Sequence, residues 1–250
     1  MNGHANPNAL YLIDSGGNDA ITAAIVFGAN AALANPYLLG EARILANAVA
    51  TLQAKGARYI VVANQYVPPF PFFNSPPVSG YWNTISTATW ADLASAGVRF
   101  IPADTRSVIA AVEQNPLAFG ITAPITSNAC VLSPWLAASL STIGLGQAGY
   151  GAVCAPTTTP SNTYGYLVSA DALQTHLFLD GLHLTEAGQI IIADYYYSLI
   201  AAPGEISFLA ESAVQTTFQM INDIQQQIDC RGVARPDGIP GSMVRSPISR

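Results

Sequence analysis

The sequence predicts an α/β domain built on a parallel sheet with helices on both faces. Three observations predict it. Short, mainly apolar runs recur at Ala9–Ile13, Ala57–Asn64 and Val98–Pro102, the signature of strands buried on both sides. Stretches of helical periodicity separate them, and Gly or Asn-Pro punctuation closes each one. Half of the 250 residues are hydrophobic and only 10% are charged, enough apolar material for one sizeable core and too little charge for a disordered chain.

The elements follow in order. Ala9–Ile13 reads as a buried strand that runs into the loop Asp14-Ser15-Gly16-Gly17-Asn18-Asp19. Residues 19–38 are expected to be helical and to stop near Asn35-Pro36, because the residue before a proline is pushed out of the helical region. Gly40 to Lys55 carries Ile44, Leu45, Ala48, Val49 and Leu52 on one helical face, with Gly56 as its C-terminal stop. Ala57–Asn64 follows as the second strand. Residues 66–80, rich in Pro, Phe and Ser, form a loop, and 81–96 a helix stopped by Gly97. Trp82 and Trp90, eight apart, share one face of that helix and read as core or cleft lining. Phe70, Phe72 and Phe73 either wall an acyl pocket or pack on one another. Val98–Pro102 is the third strand, and Asp104 can cap a helix bearing Val108, Ile109 and Val112 that ends at Asn115-Pro116. Residues 117–178 are expected to be irregular. Thr185 caps a helix running through Leu199 to Pro203, with Tyr195, Tyr196 and Tyr197 packing it and exposing one hydroxyl face. A longer helix covers roughly 205–228. The domain is thus expected over 1–229, with 230–250, rich in Gly, Pro, Arg and Ser, as a flexible tail.

Charge and cysteine content narrow the function. Lys55 is the only lysine, and the net charge is −6. The clustered Lys and Arg of a nucleic-acid groove are therefore missing, and no nucleic-acid partner is expected. Cys130 and Cys154 lie in one Pro/Ser/Thr/Gly-rich stretch. They either close a loop in an oxidising compartment or remain two thiols in a reducing one; Cys230 has no evident partner. Residues 1–8 are polar and carry no signal-type segment, and no apolar run reaches membrane-span length.

The residues that carry chemistry are few. Asp180-Gly181-Leu182-His183 places a carboxylate three residues before an imidazole, just ahead of a capped helix. A hydrolase with a hydroxyl nucleophile needs that pair, one group to remove the proton and one to hold the imidazole tautomer. A surface turn, a capping arrangement or two metal ligands would read the same way locally. His176, in Gln-Thr-His-Leu-Phe, reads as a partly buried structural histidine, and His4 lies in a polar terminus. Gly16-Gly17-Asn18-Asp19, at the end of the first strand, can supply an Asn amide and glycine N–H groups to a developing oxyanion, or can simply be a turn.

Taken together, the early Gly-x-Asn-Asp and the late Asp-x-x-His resemble the SGNH (GDSL-type) esterase/lipase family. Gly16-Gly17-Asn18-Asp19 is similar to that family's third block, whose Asn donates to the oxyanion, and Asp180-Gly181-Leu182-His183 to its fifth, whose Asp and His complete the triad. The stretches Asn115–Gly120, Ile192–Leu199 and Ala202–Ile206 look like the GDSL passenger domains of bacterial autotransporters. The resemblance covers residues 9 to about 225. It implies a three-layer α/β/α, flavodoxin-like sheet and a carboxylic ester or lipid substrate of short or medium acyl length. It also implies His183 as base, Asp180 as its orienter, Asn18 as oxyanion donor, no cofactor or metal, and a secreted or outer-membrane location.

The sequence also departs from the family. The nucleophile normally sits in a Gly-Asp-Ser block upstream of the Asn block, and the oxyanion glycine in a second block. Here the Asn block begins at residue 16, so both blocks and the first two strands are expected to be absent. Ser15, in Ile13-Asp14-Ser15-Gly16, would sit about one strand spacing, roughly 5 Å, from the usual nucleophile. The alternative to an esterase is a non-catalytic surface or passenger domain that has lost its serine. Without its neighbour, Ala9–Ile13 becomes an apolar sheet edge, expected to lower stability or to pair with a second copy as a homodimer.

Overall fold

A computed structural model describes residues 3–142 and 153–201. They fall in two units divided after Arg106. The helix expected at 205–228, the boundary at 229/230, the tail and Cys230 lie outside the described residues.

The first unit is the parallel α/β layer. Strand β1 (Leu10–Ile13) leads through a short loop into α1 (Gly17–Phe27), α2 (Ala31–Ala54) and β2 (Tyr59–Ala63); α3 (Gly80–Ser95) then leads to β3 (Ile101–Ala103). The three strands pair in parallel in the order β1-β2-β3, with Tyr11 opposite Ile60, Ile13 opposite Val62, and Ala63 opposite Ala103. The central strand β2 is buried along Ile60–Ala63, as its unbroken apolar run predicts. Ile60 and Val62 meet Ala46 and Val49 of α2 and Leu93 of α3, with Tyr11, Ile13 and Trp90 packed alongside. Each Ile, Val or Leu side chain so withdrawn from water contributes about 1.5–3 kcal/mol. The same alternation leaves Leu10 and Leu12 of β1 about half exposed. Among the described residues β1 is an edge of the sheet, with one open apolar face, as expected of the first strand. The third strand begins three residues later than predicted, and among the described residues it too is an edge, where Pro102 is tolerated because the outer side of an edge strand needs no N–H donor.

Pro36 does not end a helix. The break falls at Gly28, whose positive φ of 54° closes α1, and Pro36 lies inside α2. Coming early in that helix, it removes about one backbone hydrogen bond. The buried stripe Ala34, Leu38, Ala42, Ala46 and Val49 offsets the loss. Packing at helical spacing over 24 residues outweighs a local preference. Gly56 and Gly97 end their helices with positive φ, as predicted. The aromatic loop packs on itself and on α3: Phe73 lies 5.7 Å from Phe70, 5.5 Å from Phe72 and 5.3 Å from Trp82, ring to ring. Trp82 is fully buried, and Trp90 donates its indole N–H to the Val62 carbonyl.

Helix α4 (Thr105–Gln114) follows β3. Asp104, just ahead of it, accepts the Asn64 side-chain N–H at 2.6 Å, and the Asn64 Oδ1 takes the Arg106 backbone N–H at 3.0 Å. Part of the helix start is thus satisfied from across the sheet.

The second unit contains more regular structure than its irregular sequence predicts. Beyond a 3-10 turn at Pro116–Phe119 come β4 (Cys130–Val131), α5 (Pro134–Thr142), β5 (Tyr166–Leu167), α6 (Ala172–Thr175) and α7 (Glu186–Ala201). β4 and β5 pair antiparallel. Two-residue strands carry no periodicity to read. The Cys130–Cys154 bridge is formed, choosing the first of the two alternatives the sequence left open. Thr185 caps α7 as predicted: its Oγ1 accepts the Gly188 N–H. Tyr195 and Tyr196 are buried, while Tyr197 is half exposed. Among the described residues no helix is long and apolar enough to cross a membrane.

Candidate active site

Asp180 and His183 lie in a tight turn between two paired segments. The Leu179 N–H donates to the His183 carbonyl at 2.7 Å, Phe178 pairs with Leu184, and the Thr185 N–H reaches the Leu177 carbonyl at 3.0 Å. On the other side the Ala129 and Cys130 N–H groups donate to the Phe178 and Leu179 carbonyls, each at 2.9 Å. The turn is thus braced by the disulfide-bonded segment on one flank and by the start of α7 on the other.

Within the turn Asp180 is fully buried, yet its carboxylate is well satisfied. Oδ1 accepts the Leu182 N–H at 2.8 Å and the His183 N–H at 2.6 Å; Oδ2 faces His183 Nδ1 at 2.9 Å. An ionised carboxylate only accepts, so Nδ1 carries the proton and Nε2 keeps its lone pair. The His183 side chain is 54% exposed, so that lone pair is presented outward. Burial raises the Asp180 pKa, but the hydrogen bonds from the His183 side chain and from the two N–H groups, with the His183 charge, hold it below the usual carboxylate range. The bond to Asp180 lifts His183 above the ordinary histidine value, against a smaller opposing effect of burial. A buried, ionised acceptor behind an exposed imidazole is the arrangement a general base requires.

His176 is buried, and burial lowers its pKa. Its backbone carbonyl accepts the Thr185 hydroxyl at 2.6 Å and so ties this segment to the start of α7. Gly188 fits the same corner. A Cβ there would lie 2.9 Å from the Leu177 carbonyl oxygen and 3.0 Å from the Leu184 Cβ. Gly188→Ala is accordingly expected to destabilise the protein by about 1–3 kcal/mol, read as a fall of several degrees in Tm. An unchanged Tm would show that this close approach is not needed.

Asn18 lies in the first unit, exposed in the first turn of α1. Gly16 caps that helix with φ 104°, and a Cβ on it would press on Ile85 at 3.3 Å. The first helical bond runs from the Ala20 N–H to the Gly16 carbonyl. The N–H groups of Gly17, Asn18 and Asp19 therefore have no acceptor within the helix and, with the Asn18 amide, form a set of donors suited to negative charge. Ser15 is exposed in the loop between β1 and α1. Among the described residues no three His, Cys, Asp or Glu side chains converge as a metal site would need.

The sequence did not single out the polar network beneath this loop. Gln65, at the end of β2, donates its side-chain amide to Asp14 at 2.5 Å, and its backbone N–H reaches the buried Ser86 hydroxyl at 3.1 Å. Arg106 holds the Gln65 carbonyl through Nε and Nη2, both at 3.2 Å, and Asn83 through Nη1. The only sequence signal is position: Asp14, Gln65 and Arg106 each follow a strand at its C-terminal end, while Ser86 and Asn83 lie on α3.

Comparison with known proteins gives the site its context. The chain is 33% identical over 241 residues, 89% of its length, to proteins named Esterase EstA from Pseudomonas aeruginosa and Pseudomonas putida. It resembles these esterases over most of its length. It is also 32% identical over 219 residues to an uncharacterized protein of the trpE-trpG intergenic region of Pseudomonas putida. The chain spans 31% of the length of each of these relatives. No protein-family model matches the chain.

Proposed function

We propose that this chain is an esterase domain of SGNH type that cleaves carboxylic esters through a hydroxyl nucleophile, with His183 as general base, Asp180 as its orienter and Asn18 as oxyanion donor. The observation that carries the reading is the buried Asp180 carboxylate on Nδ1 of an exposed His183. His183 Nε2 takes the proton as the nucleophile's oxygen attacks the ester carbonyl. The carbonyl oxygen becomes anionic and is met by the Asn18 amide. Collapse breaks the C–O bond, and the departing alcohol takes the proton from Nε2. Water, activated by the same base, then releases the acid. The similarity to proteins named esterase supports the substrate class. Oxidised Cys130–Cys154 fits a secreted or cell-surface location, as in the passenger domains the sequence resembles.

The test is hydrolysis of p-nitrophenyl acetate and butyrate by the purified chain, beside Ser15→Ala and His183→Ala. Turnover abolished in His183→Ala is the expected result, and turnover abolished also in Ser15→Ala would assign the nucleophile. Turnover indifferent to His183→Ala, or absent from the unaltered chain, would overturn the reading; absence would favour a non-catalytic domain.

A further inference from the structure

The loop that carries Asn18 is held from below by one side chain. A carboxylate cannot donate, so the Gln65 amide turns its nitrogen to Asp14, at the start of the loop, and its oxygen the other way. That oxygen lies against Gly17: a Cβ on residue 17 would be 2.7 Å from Gln65 Oε1. One amide thus touches both ends of Asp14–Gly17, and Asn18 is the next residue. The Gln65 backbone is itself fixed. Its backbone N–H is bound to the buried Ser86 hydroxyl, its backbone carbonyl is gripped by two Arg106 N–H groups, and Arg106 in turn is tied to Asn64 and Asn83. The chain of contacts runs across the ends of all three strands into the first turn of α1. It also bears on the paired glycines. Gly16 is favoured by its positive φ and by Ile85, and a side chain at Gly17 would push the Gln65 amide off its place.

We infer that Gln65, clamped by Arg106, is a positioning residue that sets the Asn18 amide for oxyanion binding. The inference rests on the role proposed for Asn18, but the clamp can be tested separately from catalysis. An oxyanion donor must be held in place before the reaction, and a displacement of about 1 Å costs on the order of a hundredfold in rate. Gln65→Ala removes both contacts. Gln65→Asn keeps an amide but is one methylene too short to span Asp14 and Gly17.

Two measurements decide it. In 1H–15N spectra, the Asn18 side-chain amide is expected to shift and to gain mobility in both variants, while resonances of the β2 core stay in place. In hydrolysis of p-nitrophenyl butyrate, both variants are expected to lower kcat about ten- to hundredfold with KM unchanged, and to add nothing to Asn18→Ala. An Asn18 amide that is unperturbed in both variants overturns the clamp. So does a kcat loss that adds in full to that of Asn18→Ala. If the amide responds but the chain hydrolyses nothing, the clamp stands and the ester hydrolase reading falls. Should Gln65→Ala not fold, Gln65→Asn supplies the same readouts. A third check needs no activity: Gly17→Ala should lower Tm in the unaltered chain and do so much less beside Gln65→Ala, because the clash is then relieved.

Discussion

Asp180→Asn is expected to lower ester hydrolysis by about 10⁴-fold while leaving the fold in place. The reason lies in the two N–H groups that Asp180 Oδ1 already holds. The asparagine carbonyl must stay on the Leu182 and His183 N–H groups, so its NH₂ is forced to face His183 Nδ1. An NH₂ group donates only, and it takes the Oδ2 position, 2.9 Å from Nδ1 against 3.2 Å for Oδ1, so Nδ1 is expected to become the acceptor. The imidazole proton moves to Nε2, and the lone pair that should take the nucleophile's proton is gone. Asp180→Ala would be a poorer probe, since it would also leave two backbone donors without their acceptor, at about 1–3 kcal/mol each.

The same pair fixes two pH profiles of opposite slope. Hydrolysis needs neutral His183, so kcat/KM should rise with pH through a midpoint above the ordinary histidine value of 6.5, because Asp180 raises that pKa. In Asp180→Asn any residual rate should titrate lower, since burial, which lowers the pKa, then acts unopposed. Stability runs the other way. A raised folded-state pKa gives stabilisation that is complete below the unfolded value and is lost as pH rises through the folded one. The depressed Asp180 pKa gives stabilisation present above the unfolded value of 3.8 and lost as pH falls through the lower folded value. The pair therefore stabilises most between the carboxylate and histidine ranges, on the acid side of the activity limb. Tm and kcat/KM measured across pH on one sample check this. Two profiles rising together through neutrality would count against the assigned hydrogen bond.

The Asp180–His183 pair was legible in the sequence because its geometry is local. A carboxylate that accepts the N–H groups two and three residues on fixes its own turn, and the imidazole follows. The strand β2 was legible for a similar reason: a strand buried on both faces has to be apolar throughout. What the sequence concealed depends on partners far along the chain. The Gly16-Gly17 pair could be seen as a turn, but not as a close approach to Ile85 and Gln65, which lie on α3 and at the end of β2. Pro36 read as a helix end because its local preference is visible, whereas the packing of Ala34, Leu38 and Ala42 that overrides it is not. β4 and β5 are too short for a pattern, and they take their place from the bridge and from the backbone of residues 178–179.

That bridge leads to the second large effect. Replacing Cys130 and Cys154 together by alanine, or reducing them, is expected to destabilise the fold by about 3–4 kcal/mol, the loop-closure value for cysteines this far apart. Their sequence separation is 24. Against a typical total of about 5–15 kcal/mol this is a large share. The loss should reach the candidate site. Cys130 donates its N–H to Leu179, the residue before Asp180, and packs with Leu136 and Leu179 around the bridge. Gly165 lies so close that a Cβ there would be 2.8 Å from the Cys130 sulfur, so this corner has little room to rearrange around an open pair of thiols. Loosening residues 129–130 frees one flank of the turn that buries Asp180. With Asp180 more exposed, its hold on His183 weakens, and the pH midpoint of hydrolysis should move down toward the ordinary histidine value. Denaturant unfolding with and without reductant measures the first effect, and the pH profile of the double variant the second. A denaturation midpoint indifferent to reductant would show that the bridge is incidental to stability. A lowered midpoint with an unmoved pH limb would show that α7 alone suffices to hold the turn.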